Sequence, residues 1–401
     1  MHLRSERFAA AFLLSFPLAV LWVPMGGEVL SLVVLLWWLF QGFKTGDFVQ
    51  SIWHNAQAKR ILLALLAIIA VKVISLAWSV APDLSLRDIK KHLHLLMFIP
   101  FTILLRRLNN KEQYLKQALV CAFLAGVALA LPSWVQSGMT LAGYDYAGAT
   151  PNSLIFGLII TLMVIPYLLS LYGGLRWFDW FVIAAVFLLL IFNGKRSVLL
   201  ALSVGLLLSG FHLFRGRHFL TSWKKNVAVV LSVAALMTLF YLMRAKWVLL
   251  SQETQSYFEL GLTGGSIDTR FALARVAWEN WLQNPWLGSG AGTAREVVAR
   301  SAFSQTNLSH YNHYHNLFLQ WLSDFGLLGF ASLLTALWVL HRAITGSSQS
   351  GQADSPWFES WFVSLIPLTI CFGLTNLSFG INLYHLFFAF VLALAVSGPK
   401  S

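Results

Sequence analysis

The sequence predicts an all-α integral membrane protein with about 12 transmembrane helices and one long outer loop that contains an amphipathic helix. Three observations predict this. First, 58% of the 401 residues are apolar and only 11% are charged, where soluble globular chains carry roughly 25% charged residues. The mean hydropathy is +0.69. Second, apolar runs of about 20 residues, the length a spanning helix needs, recur along the chain. Third, many of the 17 Trp fall near the ends of those runs, as interfacial aromatic belts do.

The runs follow in order, each ending where polar or turn-forming residues interrupt it. The first three are Phe8–Pro24, Val29–Phe43 and Ile61–Trp78. Leu86–Leu105, charged at its start, Ala118–Trp134, Ser153–Tyr172 and Trp177–Phe192 come next. Ser197–Phe214, Val227–Met243, Leu317–Leu340, Trp357–Leu374 and Phe379–Val396 complete the set. Arg4 and Arg7 before an apolar stretch resemble a signal peptide. Val23-Pro24-Met25-Gly26-Gly27-Glu28 offers no small-residue cleavage site, so this stretch reads as a retained first helix.

Lys and Arg in the connections set the orientation. With the N-terminus inside, 16 fall in inside loops and 11 outside, and Lys72 lies within a helix. The short outside loops around Glu28 and Asp145 carry neither residue, so both termini are expected to be cytoplasmic. The chain reads as a single polytopic domain over 1–401, with 244–314 forming the outer loop between the ninth and tenth helices. Loops of that length in compact proteins are usually functional. Within it, Phe271, Leu273, Ala274, Ala277, Trp278, Trp281 and Leu282 recur at mostly helical spacing, with Asp268 or Thr269 as N-cap. Asn284-Pro285 stops the helix, and Gly288-Ser289-Gly290-Ala291-Gly292 forms a tight turn. No internal repeat is visible.

The net charge of +12 would suggest nucleic acid in a soluble protein. In a membrane chain it reads instead as basic loops facing anionic lipid, with part of it available for an anionic substrate. Cys121 and Cys371 both sit in apolar runs and fit neither a disulfide framework nor a CxxC metal site.

Chemistry concentrates where a polar run meets the tenth helix, at His310-Tyr311-Asn312-His313-Tyr314-His315-Asn316. At a helix start the dipole disfavours protonation, so the His315 imidazole stays neutral and is able to accept a proton from a sugar hydroxyl. His310, His313 and His315, at i, i+3 and i+5, do not align on one helical face, and no HExxH sequence is present, so no metal is expected. Lys195 and Arg196 follow the Asn193-Gly194 break between two closely spaced helices, and Arg270 opens the amphipathic helix. Guanidinium groups bind phosphate in bidentate fashion and stay charged. Arg87, Lys90 and Lys91 sit with Asp83 and Asp88 where the fourth helix begins, suited either to guiding an anionic lipid head or to local ion pairs. Asp324 is nine residues past His315, too deep to orient the imidazole, and reads as having a polar partner in the bundle; Lys72 either faces a lined cavity or pairs internally.

These residues carry a resemblance to the bacterial O-antigen ligases, within the O-antigen ligase and polymerase superfamily. Arg196-Ser197 begins a helix after a short connection. Arg270 opens a stretch that ends in Asn284-Pro285 and Gly288-Ser289-Gly290. His315-Asn316 precedes an apolar helix with an acid, Asp324 where Glu is common, and Gly326. The resemblance covers nearly the whole chain by topology and is sharpest from about Asn193 to Gly329. It implies a glycosyltransferase of the bacterial inner membrane, active on the periplasmic face. Such an enzyme moves an O-antigen glycan from undecaprenyl diphosphate to a sugar hydroxyl of lipid A–core, with no cofactor or metal. By carry-over, His315 is the base and Arg196 and Arg270 hold the diphosphate. Lys195, Arg87, Lys91, His313 and Asn316 are the candidate substrate-binding residues beside them. An O-antigen polymerase or another lipid-linked oligosaccharide transferase differs only in acceptor. A lipid or glycan transporter suits the helix number, but the His and Arg residues cluster at one face and no repeated halves are visible.

Overall fold

The computed structural model describes residues 2–46, 49–138, 146–150, 152–171, 174, 176–215, 237, 241, 244–260, 266–301, 311–348, 356–376 and 381–397. Among these residues the secondary structure is entirely helical. The N-terminal part holds α1 (His2–Trp22), α2 (Gly26–Thr45), the single turn α3 (Gln50–Trp53) and α4 (Ala56–Ile74). Next come α5 (Pro82–His92), α6 (Phe98–Leu105), α7 (Lys111–Ser137), α8 (Ser153–Ser170), α9 (Trp177–Asn193) and α10 (Arg196–Arg215). The remainder holds α11 (Arg244–Leu260), α12 (Ser266–Gln283), α13 (Ala294–Arg300), α14 (Leu317–Ser348), α15 (Pro356–Gly373) and α16 (Asn382–Val396).

Among the described residues, six stretches are long and apolar enough to cross a membrane: Ser5–Trp22, Gly26–Thr45, Ala56–Trp78, Lys111–Ser137, Ser153–Ser170 and Leu317–Thr345. Trp177–Asn193, Arg196–His212, Trp357–Gly373 and Asn382–Val396 are shorter apolar helices. These ten match ten of the expected spans. Val227–Met243 lies outside the described residues. Leu86–Leu105 is corrected: it is not one helix but the end of amphipathic α5, a 3-10 turn over Leu93–Met97, and the eight-residue α6. Its charges all lie in the first turns, and Pro100, which lacks an N–H, sits in the first turn of α6, where no intrahelical donor is needed.

Helices that are apolar on every side belong inside a bundle. α8 and α16 are of this kind, with Ile155–Ile160 and Leu386–Leu394 buried almost without exception. α16 packs on α6, α10 on α15, α1 on α7, and α14 on α4. Phe12 and Phe16 of α1, Phe101 of α6 and Phe390 of α16 interlock, with Phe16 and Phe390 ring centroids 4.8 Å apart and Phe12 and Phe101 5.2 Å apart. Asn152 and Asn55 cap α8 and α4, their side chains accepting from the N–H groups of Ile155 and Ala58 at 2.9 and 2.8 Å.

Among its described residues, the segment 244–314 carries three helices, α11, α12 and α13. The expected amphipathic helix is α12, starting at Ser266 and not at Asp268–Thr269; Asp268 is a buried acid in its first turn, where a negative charge complements the helix dipole. Its buried face is Leu273, Val276, Ala277 and Asn280, while Phe271, Trp278 and Leu282 are exposed.

α14 is broken. Gly326 has φ 61° and ψ −162°, a region open essentially to glycine alone. The loop segment 285–290 fills the break. Ser289 and Gly290 donate to the carbonyls of Ser323 and Asp324 at 3.0 and 2.8 Å, and Leu327 donates to Pro285 at 2.8 Å. A broken helix at membrane depth is tolerated when its freed backbone groups are satisfied by protein in this way.

Candidate active site

The polar run before α14 folds into a short loop anchored by Tyr314. The Tyr314 side chain is buried, its backbone N–H donates to Gln320 Oε1 at 3.1 Å, and its hydroxyl accepts from the Ser323 hydroxyl at 3.2 Å. Gln320 Nε2 in turn donates to Asp324 Oδ2 at 2.8 Å, and the Gly292 N–H donates to the same oxygen at 3.0 Å. Asp324 thus has the polar partners expected of it. It does not touch the imidazoles, but it ties the glycine turn to the loop that carries them.

His315 follows Tyr314 with φ 53°, one of two non-glycine residues with positive φ among those described. Such backbone is uncommon for a residue with a side chain, and local strain of this kind clusters at functional sites. Asn316 completes the turn: its Oδ1 accepts from the Phe318 and Leu319 N–H groups at 2.9 and 3.0 Å, and its Nδ2 donates to the Leu374 carbonyl at 3.0 Å. The His315 ring lies 4.2 Å from that of His313 and 5.4 Å from that of Tyr311, centroid to centroid. It is half-buried, hydrogen-bonds the side chain of Asn376, and leaves Nδ1 without a partner.

Burial holds the His315 pKa below the usual histidine value, and the nearby charge of Arg270 lowers it further. The imidazole is therefore neutral, as the sequence suggests, but burial and a cation are the leading causes where the helix dipole was expected to act. His313 is pushed down to about 3 by burial first, then by His315 and Lys91.

The cations come from three separate parts of the chain. α9 ends at Gly194, in left-handed conformation, and α10 begins at Arg196, so the tight connection presents Lys195 and Arg196 together. Arg270 stands in the second turn of α12. Desolvation depresses its pKa, Arg196 adds to the effect, and Glu253 and Tyr311 oppose it. Lys91 closes α5, and its carbonyl accepts from Nδ1 of both His94 and His385 at 2.9 Å. Arg87 is exposed one turn earlier on the same helix; the charge that His313 feels there is that of Lys91.

The structure thus brings Arg196, Arg270, His315, His313 and Lys91 into one electrostatic neighbourhood. Lys195 and Asn316 are adjacent in the chain to members of it. His310 lies outside the described residues. Of the alternatives open for Lys72, the internal pair holds: its Nζ is 2.6 Å from Asp88 Oδ2 and lies 5.2 and 5.0 Å from the ring centroids of Trp321 and Phe325. Sequence reasoning missed Asn376 and Tyr311 as neighbours of His315. The signal for Asn376 was a polar pair, Thr375-Asn376, directly after an apolar helix.

Chemically, the cluster offers a neutral base beside two guanidinium groups and an ammonium. That set suits removal of a hydroxyl proton next to a polyanionic leaving group. Residues 180–334, which hold Arg196, Arg270, His315 and Asp324, match a family model described as O-antigen ligase. That match points to a glycosyltransferase-like ligase or polymerase activity. No curated protein matches the chain.

Proposed function

We propose that this chain, whose residues 180–334 match a family model described as O-antigen ligase, transfers O-antigen glycan from undecaprenyl diphosphate to a sugar hydroxyl of lipid A–core on the periplasmic face of the bacterial inner membrane. The observation that carries the reading is that Arg270 feels the charge of Arg196 and lends its own to His315, the imidazole that a positive-φ turn presents. A diphosphate bridging the two guanidinium groups would bring its glycosidic carbon toward the imidazole.

In this mechanism the acceptor hydroxyl gives its proton to the neutral His315. Its oxygen bonds to the anomeric carbon as the bond from that carbon to the diphosphate oxygen breaks, and the electron pair leaves with the diphosphate. Direct displacement inverts the anomeric centre. Arg196 and Arg270 stabilise the charge that builds on the leaving group, a role worth two to three orders of magnitude per donor, roughly, in other enzymes. Lys91 and Lys195 add positive charge for the diphosphate. His313, uncharged, packs against His315, and Asn316 fixes the backbone turn that presents it. Arg87, exposed, suits contact with the anionic acceptor lipid.

A polymerase would use the same groups with a second carrier-linked glycan as acceptor. The test supplies purified protein with undecaprenyl-diphosphate-linked glycan and lipid A–core in detergent containing a chelator. Glycan on lipid A–core supports the reading; elongation on the carrier alone identifies a polymerase, and no transfer by folded protein with verified substrates rejects both.

A further inference from the structure

At the N-terminal end of α9, the end away from Arg196, α7 and α9 border an open cavity of about 720 Å³ lined by Gln113, Lys116, Val120, Cys121, Trp177 and Arg176, among others. α9 has 17 residues, so at 1.5 Å per residue the cavity and the active-site cations lie about 25 Å apart along it. The cavity belongs to neither the base nor the diphosphate cradle.

Its lining is ordered by charge. Gln113, Lys116, Val120 and Cys121, at i, i+3, i+7 and i+8, present one face of α7. Lys116 and Arg176 bring two cations to it. One carboxylate faces them: Asp179, fully buried, accepts from the Arg176 N–H at 2.8 Å and from the Tyr167 hydroxyl at 3.1 Å, with Arg176 Nε 3.5 Å away. Lys116 Nζ stands 5.9 Å from the Tyr167 ring centroid. Two positive groups against one negative leave a surplus of one positive charge at the mouth. The walls are apolar, through Val120, Trp177 and Phe178. Outside, Trp177, Trp180 and Phe181 are exposed, the arrangement of aromatic residues at a bilayer interface.

A basic mouth over an apolar wall, at the end of two apolar helices, fits an amphiphile with an anionic head. We propose that this cavity binds the phosphodiester head of an anionic phospholipid, with Lys116 and Arg176 holding the phosphate and Val120, Trp177 and Phe178 covering the glycerol and first methylenes. The volume lies within the range of small-molecule sites, roughly 300–1,000 Å³. Basic pockets between membrane helices recognise anionic lipid heads by the same physics.

Cys121 lines the cavity and is exposed, which makes it a reporter. The full chain with Cys371→Ser, leaving Cys121 as its one thiol, is placed in micelles of neutral detergent, and the rate of Cys121 alkylation by a maleimide is measured. Phosphatidylglycerol is expected to slow the reaction severalfold, and phosphatidylcholine or inorganic phosphate at the same concentration to leave it unchanged. Equal protection by phosphatidylcholine, protection by inorganic phosphate alone, or none from any of the three would each overturn the proposal. Lys116→Gln with Arg176→Gln is expected to abolish the protection; full protection in that variant also overturns it. Should the double variant not fold, Val120→Trp fills the cavity without altering charge. Native mass spectrometry is then expected to count fewer bound phosphatidylglycerol molecules than in the parent, and an unchanged count contradicts the assignment.

Discussion

Gly288 and Gly326 each lie against the backbone just before the other, Gly288 on Asp324–Phe325 and Gly326 on Trp286–Leu287. A Cβ on Gly288 would stand 2.4 Å from the carbonyl carbon of Asp324, and one on Gly326 would stand 2.3 Å from that of Trp286. The loop that follows α12 and the break in α14 are therefore one interlocked unit, and the glycine turn reaches the histidine loop through Asp324 and Gln320.

Gly326→Ala combines this collision with a backbone region that side chains avoid. The two costs, about 1–3 kcal/mol each, predict a loss of roughly 2–6 kcal/mol. Thermal unfolding in detergent checks it. An unchanged melting temperature would show that α14 can straighten without the loop.

Lys72 is 4% exposed and paired with Asp88. Removing one partner of a buried pair costs about 3–5 kcal/mol, while replacing both by apolar groups is often neutral. Lys72→Met alone is expected to lower the melting temperature strongly, and Lys72→Met with Asp88→Leu to recover most of the loss. Equal losses in the single and double variants would argue against the pair.

Arg270→Lys keeps the charge but not the two-pronged geometry that a diphosphate accepts. Transfer is expected to fall in this variant and to fall further, by about a hundredfold or more, in Arg270→Ala. Initial rates with the carrier-linked donor decide this, and wild-type rates in both variants would remove Arg270 from the site.

A base works only when unprotonated. Since burial and Arg270 hold His315 below 6.5, transfer is expected to be flat across neutral pH and to decline on the acid side only below that value. The Asn376 hydrogen bond raises the His315 pKa, so Asn376→Ala moves the acid limb to lower pH. Arg270→Gln removes a lowering charge and moves it to higher pH. A limb that stays fixed in both variants would assign it to another group.

The apolar helices were legible because bilayer thickness sets their length, and ten of the expected spans have helical counterparts. Leu86–Leu105 was misread because its hydropathy is an average: a polar amphipathic helix and a short apolar one sum to a plausible span. The break at Gly326 was hidden because a glycine in an apolar run is compatible with an intact helix; only the docked 285–290 segment forces the turn. The glycine turn itself was readable from Gly288, Gly290 and Gly292, whose φ values are all positive. Arg196, Arg270 and His315 were legible as chemistry-bearing types at element ends. Their convergence is a tertiary fact that one sequence does not spell out, and Asn376, which arrives from beyond α15, belongs to that same class.

In the proposed transfer, His315 takes the acceptor proton. The measurement that tests it most directly is the rate of glycan transfer to lipid A–core by purified His315→Ala that melts like the parent. A loss on the order of 10²–10⁴-fold is expected, the usual contribution of a general base. Transfer at the parent's rate would contradict it.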